Sequence, residues 1–314
     1  MNLDFTEGKI HWRDLKNILF PEGTSDSFWE NMHNVVTNPD APNLLLLAAP
    51  IMLFLMGLEI LYSSRKQMGL YGKQDMIGSI GVGSVYLIIT GATKAFTFYL
   101  VWMCYYYISP ITIPVTWWSF ILCLVFYDFL RYWAHRVAHE QRFWWATHIT
   151  HHSSEHYNFT VSFRLNWVDQ LKLVFFLPVA LVGFDPIQFF MIHQLAVLYQ
   201  FWQHTELIPP MHPIVEYFMV TPTNHKVHHG KNEDYIDKNY GSTFIIWDRM
   251  FGTYQEPGER PIFGIKGEVK YRHNPAYLVF QEFVDMGRDF WQAPSLRKKW
   301  QAIFAAPGTY SHED

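Results

Sequence analysis

Cysteine is nearly missing from this sequence: Cys104 and Cys123 are the only two among 314 residues, and both sit in apolar, aromatic stretches. No disulfide framework holds such a chain together. Charge is scarce as well, at 17% of residues where an ordinary soluble domain carries about 25%. With a net charge of −4 the chain offers no basic surface for nucleic acid, and with half its residues apolar it is not built for disorder. The N-terminus, MNLDFTEGKIHW, lacks a basic segment followed by an apolar core, so no cleavable signal is expected.

Aromatic residues, at 18%, and histidine, at 16 residues, are in excess. The apolar runs concentrate before residue 203. Leu44 to Tyr62 is nearly continuous, and its 19 residues at about 1.5 Å each are long enough for a bilayer core. Val115 to Ala134 is a second candidate span. Met76 to Val101 is a third, interrupted by Gly78, Gly81, Gly83, Gly91 and Lys94. Val168 to Gly183 and Ile187 to Trp202, joined by a turn-like FDP, read as a hairpin of two short helices. The pattern predicts an all-α membrane bundle of about four to five embedded helices.

Arg65, Lys66 and Lys73 lie between the first two apolar segments, Arg136, Arg142 and Arg164 follow another, and twelve Lys or Arg follow Trp202. The connectors 102–114 and 184–186 have none. The positive-inside rule places the basic segments in the cytosol. Three parts are expected: an N-terminal surface segment (1–42), a membrane and catalytic domain (43–256) and a peripheral tail (257–314), with Tyr277 to Trp291 amphipathic enough to lie on a membrane surface.

The dense histidine groups all fall on that cytosolic side. His135 and His139 are four apart; His148, His151 and His152 repeat the HxxHH spacing of His225, His228 and His229, 77 residues later. On helices these intervals stack imidazoles on one face, as metal ligation requires. Eight imidazoles exceed the coordination number of one ion, so the count requires two. A zinc protease of the HExxH type is excluded, because Arg136 stands where the glutamate base belongs. Asp128 shares the stripe of His135, seven residues before it. Its carboxylate serves either the second N–H of a ligating histidine or Arg131.

The ordered motifs DFLRYWAHRVAH, HITHHSSEHYN, QFWQHTE, NHKVHH and NYGSTFIIWDRMFGTY, from about Phe120 to Tyr254, resemble the fatty acid hydroxylase and sterol desaturase superfamily of membrane di-iron oxidases. QFWQHTE, HHSSE and KVHHGKNEDYIDKNYG resemble its ether-lipid branch most. The resemblance implies two iron ions, O2 and external electrons acting on a lipid C–H bond, with His135, His139, His148, His151, His152, His204, His225, His228 and His229 as ligands. Where family members often carry a further histidine this chain has Ile208, so Glu206, Asn224 or a water is left to fill the gap, or one site stays open for O2. Asp128, Glu206 and Asn224 are thus the candidate catalytic side chains. His156, four residues past His152, is a candidate extension of the ligand face; His193 and His273 are weaker candidates.

No GxGxxG motif follows a strand and no haem-binding loop is visible, so the electrons come from outside. The donor is a tetrahydropterin on the ether-lipid branch, or a cytochrome, ferredoxin or reductase partner on another. Desaturation of a lipid or sterol, and zinc-dependent membrane hydrolysis, stand as alternatives to hydroxylation. Asp248 is available to orient a ligand or Arg249.

Overall fold

The computed structural model describes residues 44–311, and the expected N-terminal surface segment (1–42) lies outside them. The described residues form twelve α-helices and no strand; the only β pairings are the isolated bridges Met219 to Phe244 and Gly230 to Phe263.

Helix α1 (Leu44–Lys66) has 23 residues, which at about 1.5 Å each reach about 34 Å. Only Glu59 and Ser63 are buried along it, so its apolar side chains face outward. α2 (Lys73–Met103) continues through one wider turn to Ile108. Among the described residues these two are the helices whose length and composition suffice to cross a membrane. α3 (Trp117–Glu140) starts at a reciprocal cap between Thr116 and Ser119 and runs unbroken through both histidines of its last turns.

The first arm of the expected hairpin is not one helix. Residues Asp169–Phe175 form a tight 3₁₀ segment and α6 (Leu177–Leu181) a single short helix, with α4 (Arg142–Ala146) and α5 (Ile149–His152) preceding them. Pro178, in the first turn of α6, has no N–H to bond back to the preceding turn, so the helix starts here instead of continuing from the 169–175 segment. The second arm is α7 (Pro186–Phe201), which Asp185 caps at Ile187 and Gln188. α2, α3, α6 and α7 share an apolar core of Val101, Cys123, Tyr127, Val179, Ala180, Phe184, Phe189, Ile192 and Ala196.

The rest is short helices and loops: α8 (Pro213–Phe218), α9 (Pro222–His228), α10 (Ile246–Phe251), α11 (Pro275–Gln292) and α12 (Leu296–Phe304). α11 backs the second histidine motif. Thr150 donates to the Leu278 carbonyl at 2.9 Å, and Arg142 reaches Glu282 and Asp289, each at 2.7 Å. The tail therefore braces the histidine region while Trp291, Leu296 and Trp300 stay exposed.

Candidate metal centre

Four short stretches converge on one place. His135 and His139 come from the last turns of α3; His148 caps α5, which carries His151 and His152; His225 and His228 lie on α9, with His229 closing it; His204 follows α7. They form two groups. His135, His139, His148, His152 and His228 offer nitrogens within 4.8 Å of one another, and His151, His204, His225 and His229 do the same. Each HxxHH motif is split between the groups: His148 and His152 go to the first and His151 to the second, while His228 goes to the first and His225 and His229 to the second.

The nitrogens meet tip to tip. Nε2 atoms stand 2.9 Å apart in the pair His135 and His148, 3.2 Å in His148 and His152, 3.2 Å in His151 and His204, 3.1 Å in His204 and His225, and 3.2 Å in His225 and His229. For metal–nitrogen bonds of about 2.1 Å, ligands at right angles stand about 3.0 Å apart and tetrahedral ones about 3.4 Å. The observed separations, 2.9 to 3.2 Å, are those that nitrogens sharing one metal ion would have.

Backbone carbonyls fix several rings. His135 Nδ1 donates to Tyr240 O at 2.7 Å, His228 Nδ1 to Lys238 O at 2.9 Å and His204 Nδ1 to Gln200 O at 2.8 Å. A neutral imidazole has one N–H, so each of these three turns a bare Nε2 lone pair inward. His139 Nε2 and His228 Nε2 are buried with no hydrogen-bond partner. Inward lone pairs and orphaned nitrogens are unfavourable among themselves and suited to a cation. Burial pushes the acidity of the group the same way: it holds His148, His151, His152, His225, His228 and His229 well below the usual imidazole range, and His204 at about 4. At His148 the charge of Lys172 is the next largest cause. All seven are neutral, metal-ready imidazoles at neutral pH.

The loop bearing the Lys238 and Tyr240 carbonyls is clamped by two buried carboxylates. Asp248 accepts from the Tyr240 and Gly241 N–H groups at 2.7 Å each and from the Thr253 hydroxyl at 2.7 Å. Burial lifts its carboxyl to about 6 against those donors. Asp128 accepts from Thr243 N at 2.9 Å, Phe244 N at 3.0 Å and the Trp247 indole at 3.0 Å. Asp128 therefore meets neither a histidine nor Arg131; it acts on the loop. Asp237 and Asn239 take left-handed backbone angles (φ 59° and 56°) that kink the chain on either side of Lys238, and the Asn239 amide ties the turn to Asn224 O and Gln255 O.

The other expected residues stand elsewhere. Asn224 donates to the Glu216 carboxylate at 3.1 Å and to Met219 O at 3.2 Å, and Glu206 faces Arg260 at 3.5 Å, so neither side chain enters the histidine groups. His156 pairs with Asp75 at 2.8 Å, His193 with the Tyr127 hydroxyl at 2.8 Å, and His273 is exposed. Asp248 does not pair with Arg249, which donates to Tyr217 O and lies over the Tyr254 ring.

Sequence reasoning missed Glu59. It is buried in α1 and accepts from Phe159 N at 2.8 Å and from the hydroxyls of Tyr71 and Thr205, the residue next to His204. The available signal was a lone carboxylate in an otherwise apolar run.

Residues 120–253 match the family model described as fatty acid hydroxylase. The chain is 41% identical over 197 residues to alkylglycerol monooxygenase of Xenopus tropicalis, covering 62% of this chain and 43% of that protein. It is 32% identical over 304 residues to alkylglycerol monooxygenase of Danio rerio, covering 95% and 65% respectively. A Rhizobium tropici ornithine lipid hydroxylase, OlsE, is 30% identical over 154 residues, 48% of this chain and 46% of that protein. The chain thus spans between two fifths and two thirds of the length of these three relatives. No solved structure matches it.

Proposed function

The chain belongs to the fatty acid hydroxylase family, and from that premise we propose that it is a multi-pass membrane di-iron oxygenase that inserts one atom of O2 into a lipid C–H bond. The bond is the one next to the ether oxygen of an alkylglycerol, in line with the two relatives named alkylglycerol monooxygenase. His135, His139, His148, His152 and His228 hold one iron, and His151, His204, His225 and His229 hold the other. The observation that carries this reading is the division of nine imidazoles into a group of five and a group of four. Five ligands in one group exceed the tetrahedral set of a structural zinc site, and imidazole suits iron.

Iron bound there would supply the activation of O2 toward an unactivated C–H bond. The protein's own part is positional. Backbone carbonyls orient His135, His204 and His228, and the Asp248 and Asp128 clamps hold the loop bearing two of those carbonyls. The balance is RH + O2 + 2 e⁻ + 2 H⁺ → ROH + H2O, so a two-electron donor is required. That donor is external, a tetrahydropterin or a redox protein. We assign catalysis to residues 43–256 and place the histidine groups on the cytosolic face, where the basic segments lie.

The test is metal analysis of the purified chain together with O2 uptake and product mass on an alkylglycerol. About two irons per chain, O2 consumption and a cleaved ether are expected, all lost in His148→Ala and His151→Ala. Zinc without O2 consumption, or turnover surviving either change, would overturn the reading. A product two hydrogens lighter, with no added oxygen, reassigns the reaction to desaturation.

A further inference from the structure

Glu59 is the one carboxylate of α1, and with Ser63 it is all that this helix buries. Its two oxygens accept three hydrogen bonds. One takes the Thr205 hydroxyl; the other takes the Tyr71 hydroxyl at 2.5 Å and the Phe159 N–H at 2.8 Å. An acidic side chain within an apolar membrane helix is costly, and one that is kept there points to a role beyond packing.

The role follows from what Thr205 adjoins. Eight of the nine clustered histidines come in spaced motifs that lie on helices or close their ends, whereas His204 stands alone in the turn after α7. The aim of a side chain on such a turn depends on what pins the residues on either side, and here both neighbours are fully buried. Gln203 donates to Val220 O at 3.2 Å and Ser242 O at 2.9 Å, and its own carbonyl accepts from the Tyr157 hydroxyl at 3.0 Å. Thr205 donates to Glu59 and accepts from the Leu207 N–H at 3.0 Å. Between these two anchors the His204 ring, held at Nδ1 by the Gln200 carbonyl, brings its Nε2 within 3.2 Å of His151 and 3.1 Å of His225. Glu59 is the support that comes from α1, 146 residues before Thr205.

We propose that Glu59 is a positioning residue for the second histidine group: through Thr205 it fixes the turn that aims His204, and so couples α1, an otherwise outward-facing helix, to the metal held by His151, His204, His225 and His229. The first group does not depend on it, since His135 and His228 are aimed by the carbonyls of Tyr240 and Lys238. This rests on the two-metal reading for what is held there.

The experiment is anaerobic competition between the full chain, loaded with iron(II) in detergent micelles, and a chromogenic iron(II) chelator, with a thermal scan of the stripped protein beside it. Thr205→Val keeps the shape without the hydroxyl, and Glu59→Gln cannot accept from all three donors. Each is expected to release one iron at about 10- to 100-fold less chelator, the usual cost of losing a ligand's support, with the other iron unmoved. Thr205→Ser restores the hydroxyl, and Tyr71→Phe removes a donor that does not touch the 203–205 turn; both keep the two irons at the unaltered affinity. Asp248→Ala acts on the first group, so together with Thr205→Val it releases both irons early. The proposal is overturned if Thr205→Val moves neither iron, or if it moves both alike with a matching fall in melting temperature, the mark of a purely structural anchor. It is overturned as well if Tyr71→Phe reproduces Glu59→Gln, or if the double variant releases only one iron early. Unaltered protein that does not hold two irons overturns the two-metal reading itself, and the proposal with it, before any variant is made.

Discussion

At the scale of single residues, the governing fact is that neutral histidine is the form the fold requires. Seven imidazoles outside the membrane helices have their proton affinity lowered, by burial first and by neighbouring charges after it. Unfolded, each returns to about 6.5. Between the lowered folded values and 6.5 the unfolded chain binds more protons, so stability rises with pH there, is complete above about 6.5, and is lost as pH falls below it. Metal binding has the same sign, since protonated imidazole cannot ligate. We expect the melting temperature of chelator-stripped protein to be flat from pH 8 to 7 and to fall steeply from pH 6 to 5. A flat profile across the whole range, in thermal scans with the same buffer ions, would contradict the burial of neutral histidines.

At the scale of elements, ligands are set by short helices, but their aim is set by one loop. Asp248 is the residue to remove. Asp248→Ala frees two buried N–H groups that accept no substitute, at about 1–3 kcal/mol each for an unsatisfied buried donor. The Tyr240 carbonyl that holds His135 then loses its anchor. Such supporting changes commonly cost 10- to 100-fold in metal affinity, which competition with a chelator measures; Asp248→Asn, which keeps an acceptor oxygen, is expected to lose less. The ligand helices were legible beforehand because i, i+3 and i+4 spacing writes a face directly into sequence. The division of each HxxHH motif between two groups was not, because it depends on how four separate stretches meet. Nor could the carbonyls of Gln200, Lys238 and Tyr240 be read, since every residue has one and only the folded path selects which is aimed. Asp128 stood out as a costly carboxylate in an apolar helix, yet its partners, two backbone N–H groups and the Trp247 indole, lie more than a hundred residues away. The broken arm at 168–183 has a plain cause that was in view, Pro178 within an apolar run.

On the scale of the whole molecule, two helices satisfy the length and apolarity of a full crossing, while α3 carries Asp128 and Arg131 and α7 has only 16 residues. Our proposal of further embedded helices rests instead on outward-facing apolar side chains. Trp117, Ile121, Leu122, Ile187 and Leu195 are exposed on α3 and α7 around a core that these helices share with α2. Exposed apolar surface of this extent is costly in water and free in lipid. Orientation follows from charge: the 102–114 connector has no Lys or Arg, and the chain after Trp202 has twelve. A cysteine at Ser295, beside Arg297, Lys298 and Lys299, and one at Pro110, in the uncharged connector, are therefore expected on opposite faces. With Cys104 and Cys123 replaced by serine or alanine, a membrane-impermeant maleimide should label Pro110→Cys in intact cells and Ser295→Cys only after permeabilisation. Labelling of Ser295→Cys alone before permeabilisation would reverse the orientation, and labelling of both would put the two sites on one outer face; either result moves the histidine groups away from any cytosolic donor.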